Sequence, residues 1–253
     1  MTQVKEPVPT RRERQREATY EEIVRASREL LNAGAELSLR AVASRMGLTA
    51  PALYRYVSSY QELVDLVAFE VDRAATERFL AAAETRPADD IEGRLLLAAT
   101  EFRTWALASP HEFALVFTNP IADTTGIRNE MHTTSCSGHL FTDLIFDLWQ
   151  ATDFPIPEFD ELPPAIQESI RDPLIPAKVE QVPDDKRGLV WVYMQGWTQL
   201  YGVVALEVMG HMDPRVIESG EMYLDVLRNF APRLGIGDDW PRLEALVREW
   251  LAR

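Results

Sequence analysis

The stretch "LRAVASRMGLTAPALYRYV", residues 39–57, holds three arginines and two tyrosines but no acid, in a chain whose formal net charge is −14. Guanidinium groups and phenolic hydroxyls at this density suit phosphate oxygens and base edges better than covalent chemistry. Val42, Met46, Leu48, Leu53 and Tyr56 fall on the inner faces of two short helices. That spacing leaves Thr49, Ala50, Pro51, Ala52, Tyr54 and Arg55 facing outward from the second one. Arg55 can pair with guanine or a phosphate, while Ala50, Pro51 and Ala52 offer short apolar surface to thymine methyls. Tyr54 and Tyr56 are candidate phosphate donors, and Ser38, Arg40 and Arg45 are placed to grip backbone from the preceding helix. The Thr49 hydroxyl and the free N–H groups beside it suit a phosphate. Arg11, Arg12, Arg14 and Arg16 lie in an N-terminal segment read as a flexible basic arm over 1–16, able to reach phosphates or a minor groove.

These side chains need a scaffold, and the punctuation of the sequence supplies one. An amphipathic stripe at Ile23, Val24, Ser27, Leu30 and Leu31 predicts a first helix ending at Gly34. Ser38 caps a second helix, Gly47 ends it where the turn needs positive φ, and Thr49 caps a third over about 50–56. Ala43 is small where the two short helices cross, which makes the unit a helix-turn-helix. "SSYQEL" restarts a fourth helix running to about Ala83. Further helices are expected from 89/90 to Ala108, from Pro110 to Phe117, and over 124–151, 186–210, 214–232 and "WPRLEALVREWLA". An irregular, proline-rich segment at 152–184 surrounds one short helix, "AIQESI". With no period-2 pattern and no repeat, the chain reads as all-α. It divides into the arm 1–16, a helix-turn-helix domain 17–62 and a larger helical domain 63–253.

Charge follows the same division. Residues 1–60 carry 10 Lys+Arg against 7 Asp+Glu, and the strongly acidic remainder would repel phosphates. A single cysteine, Cys136, fits a reducing compartment. No secretory leader or membrane-spanning run is read, so a cytoplasmic protein with no membrane partner is expected. No phosphate loop, nucleophile elbow or dinucleotide fingerprint is present, which argues against an enzyme and implies no cofactor. His132, Cys136 and His139 share a region, but without the spacing of a metal site.

Residues 17–66, with "GAELSLRAVASRMGLTAPALYRYVSSYQELVDL", resemble the TetR family of transcriptional regulators. The family's "LYxYF"-like end of the helix-turn-helix reads "LYRYV" here, and its "xSKxEL"-like start of the fourth helix reads "SSYQEL". Tyr60 stands where the family usually has a phosphate-contacting lysine, and its hydroxyl can still donate. "GWTQLYGVVALEVMGH", 196–211, resembles the Trp-His-Gly type of effector domain, with Tyr201 in place of the usual histidine. The resemblance implies a homodimer on a double-stranded, palindromic operator and a small-molecule effector bound in the larger domain. It also implies release from DNA on effector binding, with repression as the family habit. An activator of the same fold, or an architectural, non-specific DNA-binding protein, remains an alternative; the latter would need more positive charge.

For the implied interface between copies, the apolar positions of the last long helix pair are candidates: Leu189, Val192, Tyr193, Gly196, Leu200, Val203, Tyr223 and Leu227. Gly196 and Gly202 would permit close helix approach. For the implied pocket, the aromatic and soft side chains are Phe102, Trp105, Phe113, Phe117, Met131, His132, Cys136, His139, Phe146, Trp149, Met194 and Trp197. They suit an apolar or aromatic ligand, or a lipophilic cation. The small polar run "MHTTSCSGHLFTDL" would pack poorly as core and could line a cavity.

Overall fold

The computed structural model describes residues 10–119, 136–171, 173 and 181–253, and the described residues are helical without any strand. Helix α1 (Arg11–Asn32) precedes α2 (Leu39–Arg45) and α3 (Ala50–Leu53), and α4 (Tyr60–Glu84) leads out of this unit. The larger part holds α5 (Ile91–Ala108), α6 (Pro110–Phe113), a π-helical turn (Ala114–Thr118), α7 (Ser137–Thr152) and α8 (Pro164–Arg171). It continues through α9 (Gly188–Val208), α10 (Pro214–Ser219), α11 (Glu221–Phe230) and α12 (Trp240–Leu251).

The start of α1 corrects the flexible arm. Thr10 and Glu13 form a reciprocal capping box, with the Glu13 N–H donating to Thr10 Oγ1 at 3.3 Å and the Thr10 N–H to Glu13 Oε2 at 2.6 Å. Two orphan donors are satisfied at once, so the helix begins at Arg11 and Arg11, Arg12, Arg14 and Arg16 sit on its first turns. Residues 1–9 of the expected arm lie outside the described residues. Further along, the Arg16 guanidinium donates to the Tyr20 hydroxyl at 3.0 Å, which donates in turn to the Tyr56 carbonyl at 3.1 Å. The Tyr20 and Tyr56 rings meet edge to face, locking α1 against the helix-turn-helix.

Helix α5 is the centre of the larger part. Its residues Leu95–Arg103 are all buried, and α4, α7, α9 and α12 pack around it. A helix that is apolar on every side must be enclosed by others. Its buried arginine is paired: Arg103 donates from Nε to Glu207 Oε2 at 2.6 Å and from Nη2 to Glu207 Oε1 at 3.1 Å. Nη2 also reaches the Ile217 carbonyl at 2.6 Å, and the guanidinium stacks over Tyr223. Burial raises the Glu207 carboxyl above its ordinary range, against the pull of Arg103.

Two expected helices differ. The one read over 214–232 is broken into α10 and α11 by Gly220 at φ +68°, a left-handed conformation that a side chain would strain. The one read over 124–151 is seen as α7 from Ser137; its earlier part lies outside the described residues, with Met131 and His132.

Candidate nucleic-acid interface and internal cavity

In the N-terminal unit, Val42, Ala43, Leu53 and Val57 are buried together, which turns the opposite faces outward. The Ala41 N–H donates to Ser38 Oγ at 3.2 Å, so the Ser38 hydroxyl caps α2. Gly47, at φ +67°, makes the turn. Thr49 stands at the N-cap of α3 as expected but makes no side-chain cap bond, which leaves its exposed hydroxyl uncommitted to the helix start. Helix α3 is shorter than 50–56: after Leu53 the hydrogen bonds tighten to Arg55 N–H to Ala52 and Tyr56 N–H to Leu53, placing Tyr54–Tyr56 in a turn.

The surface this presents holds Pro51, Tyr54, Arg55 and Tyr60, all exposed, with Ala50 and Ala52 half-buried between them. Arg40 is exposed on α2. Arg45 is also exposed, but its Nε donates to Glu29 at 2.7 Å, a pair that a phosphate would have to replace. Tyr56 is half-buried against Tyr20, so its ring is part of the packing that holds the unit together.

The larger part contains a cavity of about 820 Å³. Its walls come from α4 (Leu66, Phe69, Asp72), α5 (Leu95, Leu96, Ala99), the π-helical turn (Val116, Phe117), α7 (Phe141, Thr142, Ile145) and α9 (Trp197, Tyr201). One end reaches Tyr20, Ser58 and Ser59, at the foot of the helix-turn-helix. The π-helical turn is held open to the cavity from across it, because the Tyr201 hydroxyl donates to the Phe117 carbonyl at 3.2 Å. Trp197 and Tyr201 stack one turn apart, with ring centroids at 5.7 Å.

Of the expected pocket residues, Phe117, Cys136 and Trp197 line this cavity. Phe102, Trp105 and Phe113 are buried in the aromatic core behind it, where Phe102 alone meets six other rings including Phe79 and Phe141. Phe146 and Trp149 pack on each other along α7, and neither they, His139 nor Met194 are among the lining residues. The expected interface residues need a larger correction. Leu189, Val192, Val203 and Tyr223 are enclosed by the chain's own helices, and Tyr193, Gly196, Leu200 and Leu227 face the cavity. A Cβ on Gly196 would stand 3.1 Å from the Phe230 ring, so this glycine serves α9–α11 packing within one chain. The outward face of that helix pair carries Gly202, Leu206, Met209 and Met222 instead.

Sequence reasoning missed the acids. Glu62, Asp65 and Asp72 lie on one face of α4 at i, i+3 and i+10, and all three line the cavity. The signal was present, since the buried positions Leu63, Val64, Val67, Val71 and Ala75 mark the neighbouring stripe. The Glu62 carboxylate is taken up by the Ser58 N–H and hydroxyl, at 2.7 and 2.6 Å. Asp72 Oδ2 accepts from the Ser137 N–H at 3.3 Å, while Oδ1 is shielded from solvent and has no hydrogen-bond partner among the described residues. Burial pushes the Asp72 carboxyl up to about 6. The folded chain therefore holds a proton that the unfolded chain releases near pH 4, and stability falls as pH rises between those values. An Asp72→Asn variant, which keeps an acceptor for Ser137, should lose that share of the pH dependence and melt at a higher temperature than the parent at pH 7. Thermal unfolding of both at pH 4 and pH 7 checks this; a parallel shift in the two proteins would refute it.

An N-terminal helix-turn-helix is joined by one continuous helix, α4, to a cavity-bearing helical bundle. The chain belongs to the TetR family: residues 95–229 match the family model described as the Tetracyclin repressor-like C-terminal domain. It is also similar to two curated mycobacterial proteins, the HTH-type transcriptional regulator Rv1816 of Mycobacterium tuberculosis and its counterpart Mb1846 of Mycobacterium bovis. Each is 35% identical over 95 residues, 37% of this chain, and the match spans 41% of the relative's own length. The solved structure of SCO4313, described as a regulatory protein, shares the fold with a TM-score of 0.56 at 24% identity, over 86% of this chain and 99% of that one.

Proposed function

We propose that the protein is a dimeric, sequence-specific DNA-binding transcriptional regulator, a repressor released from its operator by a small apolar or aromatic ligand. The observation that carries this reading is the continuity of α4. It starts four residues after the Tyr54–Tyr56 turn, in which Tyr54 and Arg55 are exposed, and runs on as a wall of the cavity. A ligand that fits the cavity differently in two arrangements of α4 would shift the DNA-binding surface with it. The likeness to mycobacterial HTH-type transcriptional regulators supports DNA-directed regulation.

The outward face of α9 and α11 supports a second copy of the chain as partner. Leu206, Met209 and Met222 are 44, 41 and 43% exposed, and a Cβ on Gly202 would meet nothing within 4 Å, leaving room for another helix. Tyr54, Arg55, Arg40 and Tyr60, with the arginines of the first turns of α1, are the residues assigned to the DNA. The test is selection of bound duplexes from a random pool, followed by sizing of the complex. A recovered palindrome occupied by two copies or a multiple of two is the expected result. Binding with no enriched sequence by folded, ligand-stripped protein would favour a non-specific DNA-binding role and sink this one.

A further inference from the structure

The arginines of the N-terminal unit are not held alike. Arg25, Arg28 and Arg45 each pair with an acid, Glu22, Glu112 and Glu29, so a phosphate reaching any of them must compete with a carboxylate. Arg16 is held by a neutral group instead. Its Nε and Nη2 donate to the Tyr20 hydroxyl, one turn along α1, at 3.3 and 3.0 Å, and the guanidinium lies 5.5 Å from the centre of the Tyr20 ring. The Tyr20 hydroxyl holds the Arg16 guanidinium above its ordinary range. Glu62 adds to this more weakly, its own carboxylate being taken up by the Ser58 N–H and hydroxyl. A phenolic hydroxyl has one proton to give and lone pairs with which to accept. The Tyr20 proton goes to the Tyr56 carbonyl at 3.1 Å, and its oxygen takes both Arg16 donors. Two hydrogen bonds therefore separate the guanidinium from the turn that exposes Tyr54 and Arg55. The N–H groups of Nη1 are bonded to no described residue.

We propose that Tyr20 is a positioning residue for DNA binding: its hydroxyl fixes the Arg16 fork so that Nη1 meets a backbone phosphate beside the surface of Tyr54 and Arg55. This rests on the DNA-binding reading above and adds the residue that orders one of its contacts. A long arginine side chain gives up rotamer freedom when it grips a phosphate, and one already fixed gives up less. A carboxylate would also fix the fork but would cancel the charge that the phosphate needs. A hydroxyl fixes it and leaves the charge whole. Because the same oxygen is tied to the Tyr56 carbonyl, the fork keeps its place relative to the turn after α3 as well as to α1. A Tyr20 that served only to pack α1 on the Tyr56 ring, edge to face at 6.0 Å, would act on DNA binding whatever residue 16 carried.

The experiment uses the full chain as parent, Tyr20→Phe, Arg16→Met and the double variant. Affinity for the selected duplex and for one of scrambled sequence is read by fluorescence anisotropy between about 50 and 200 mM salt. In the parent, Tyr20→Phe should weaken binding about three- to tenfold, the scale of one net hydrogen bond, and by the same factor on both duplexes. Where residue 16 is already methionine, the same substitution should change affinity less than about twofold. Arg16→Met should also reduce the slope of log affinity against log salt by about 0.9 per copy bound. Equal losses from Tyr20→Phe in both backgrounds would reduce Tyr20 to packing and overturn the proposal, as would parent-like binding by either single variant. If Tyr20→Phe folds poorly, Arg16→Lys replaces it. The salt slope should then stay while affinity falls about threefold, since lysine lacks the fork that Tyr20 holds, and parent-level affinity would overturn the proposal. A protein that selects a duplex but is indifferent to Arg16→Met removes this inference and leaves the sequence-specific regulator standing. The expected non-additivity on both duplexes, with no preference between them, does the reverse.

Discussion

In an Arg103→Met variant, the free energy of unfolding is expected to fall by about 3–5 kcal/mol, the cost of stripping the partner from a buried charge. Glu207 is 2% exposed, and both its oxygens accept from Arg103. Methionine fills the volume but offers no donor, so the carboxylate must ionise unpaired or take up a proton. The Ile217 carbonyl loses one of its two donors as well, keeping the Gly220 N–H at 3.2 Å. Burial already raises the Glu207 carboxyl, and without Arg103 nothing opposes that rise. The folded variant then binds a proton that its unfolded chain releases, so its deficit should shrink as pH falls toward the ordinary carboxylate range. A second substitution, Glu207→Leu, should recover most of the loss, since an apolar pair can replace a buried ion pair at little cost. Denaturant unfolding of the parent and both variants measures each quantity. A single variant within about 1 kcal/mol of the parent would mean that water reaches this pair and that α5 is not the closed centre described above.

The second expected result concerns DNA. An Arg55→Ala variant should bind the selected duplex with about 1–3 kcal/mol less affinity and tolerate substitution at one position of each half-site. Tyr54→Ala should weaken binding to all duplexes alike, because a phosphate contact positions the helix without reading sequence. Neither change should shift the unfolding midpoint appreciably: both residues are exposed in the turn after α3 and carry no ion pair among the described residues. Fluorescence anisotropy against matched and mismatched duplexes separates the two behaviours. Undiminished affinity in both variants would place the reading surface elsewhere, with the arginines of α1 the next to test.

The helices themselves were legible because caps and turns are local. Ser38, Gly47 and Ser59 each act within four residues of the chain, and the structure puts helix boundaries where they stand. The start of α1 was legible too, as Thr10-x-x-Glu13, but a run of arginines drew the reading toward an arm. Which face of an apolar helix turns inward is not local. Helix α9 carries large apolar residues all around, and Leu206 and Leu200 look alike until α5, α7 and α11 are in place. For that reason the residues expected between two copies proved to be core or cavity wall. Asp72 escaped for the opposite cause: an acid on a helix reads as solvated, and only the arrival of α7 at Ser137 closes over it.

Helix α4 is one continuous rod, with buried residues from Leu63 to Ala83 and its far end clamped in the bundle. Phe79, Ala82 and Ala83 are buried against the bundle, and from Phe79 back to Tyr60 the rod is about 28 Å long at 1.5 Å per residue. With that clamp as fulcrum, a tilt of about 6° swings the Tyr60 end by about 3 Å. That travel is close to the 3.4 Å axial rise from one base pair of a DNA duplex to the next. If two copies share one duplex, as proposed, a swing of this size would leave their reading heads one step out of phase with the groove.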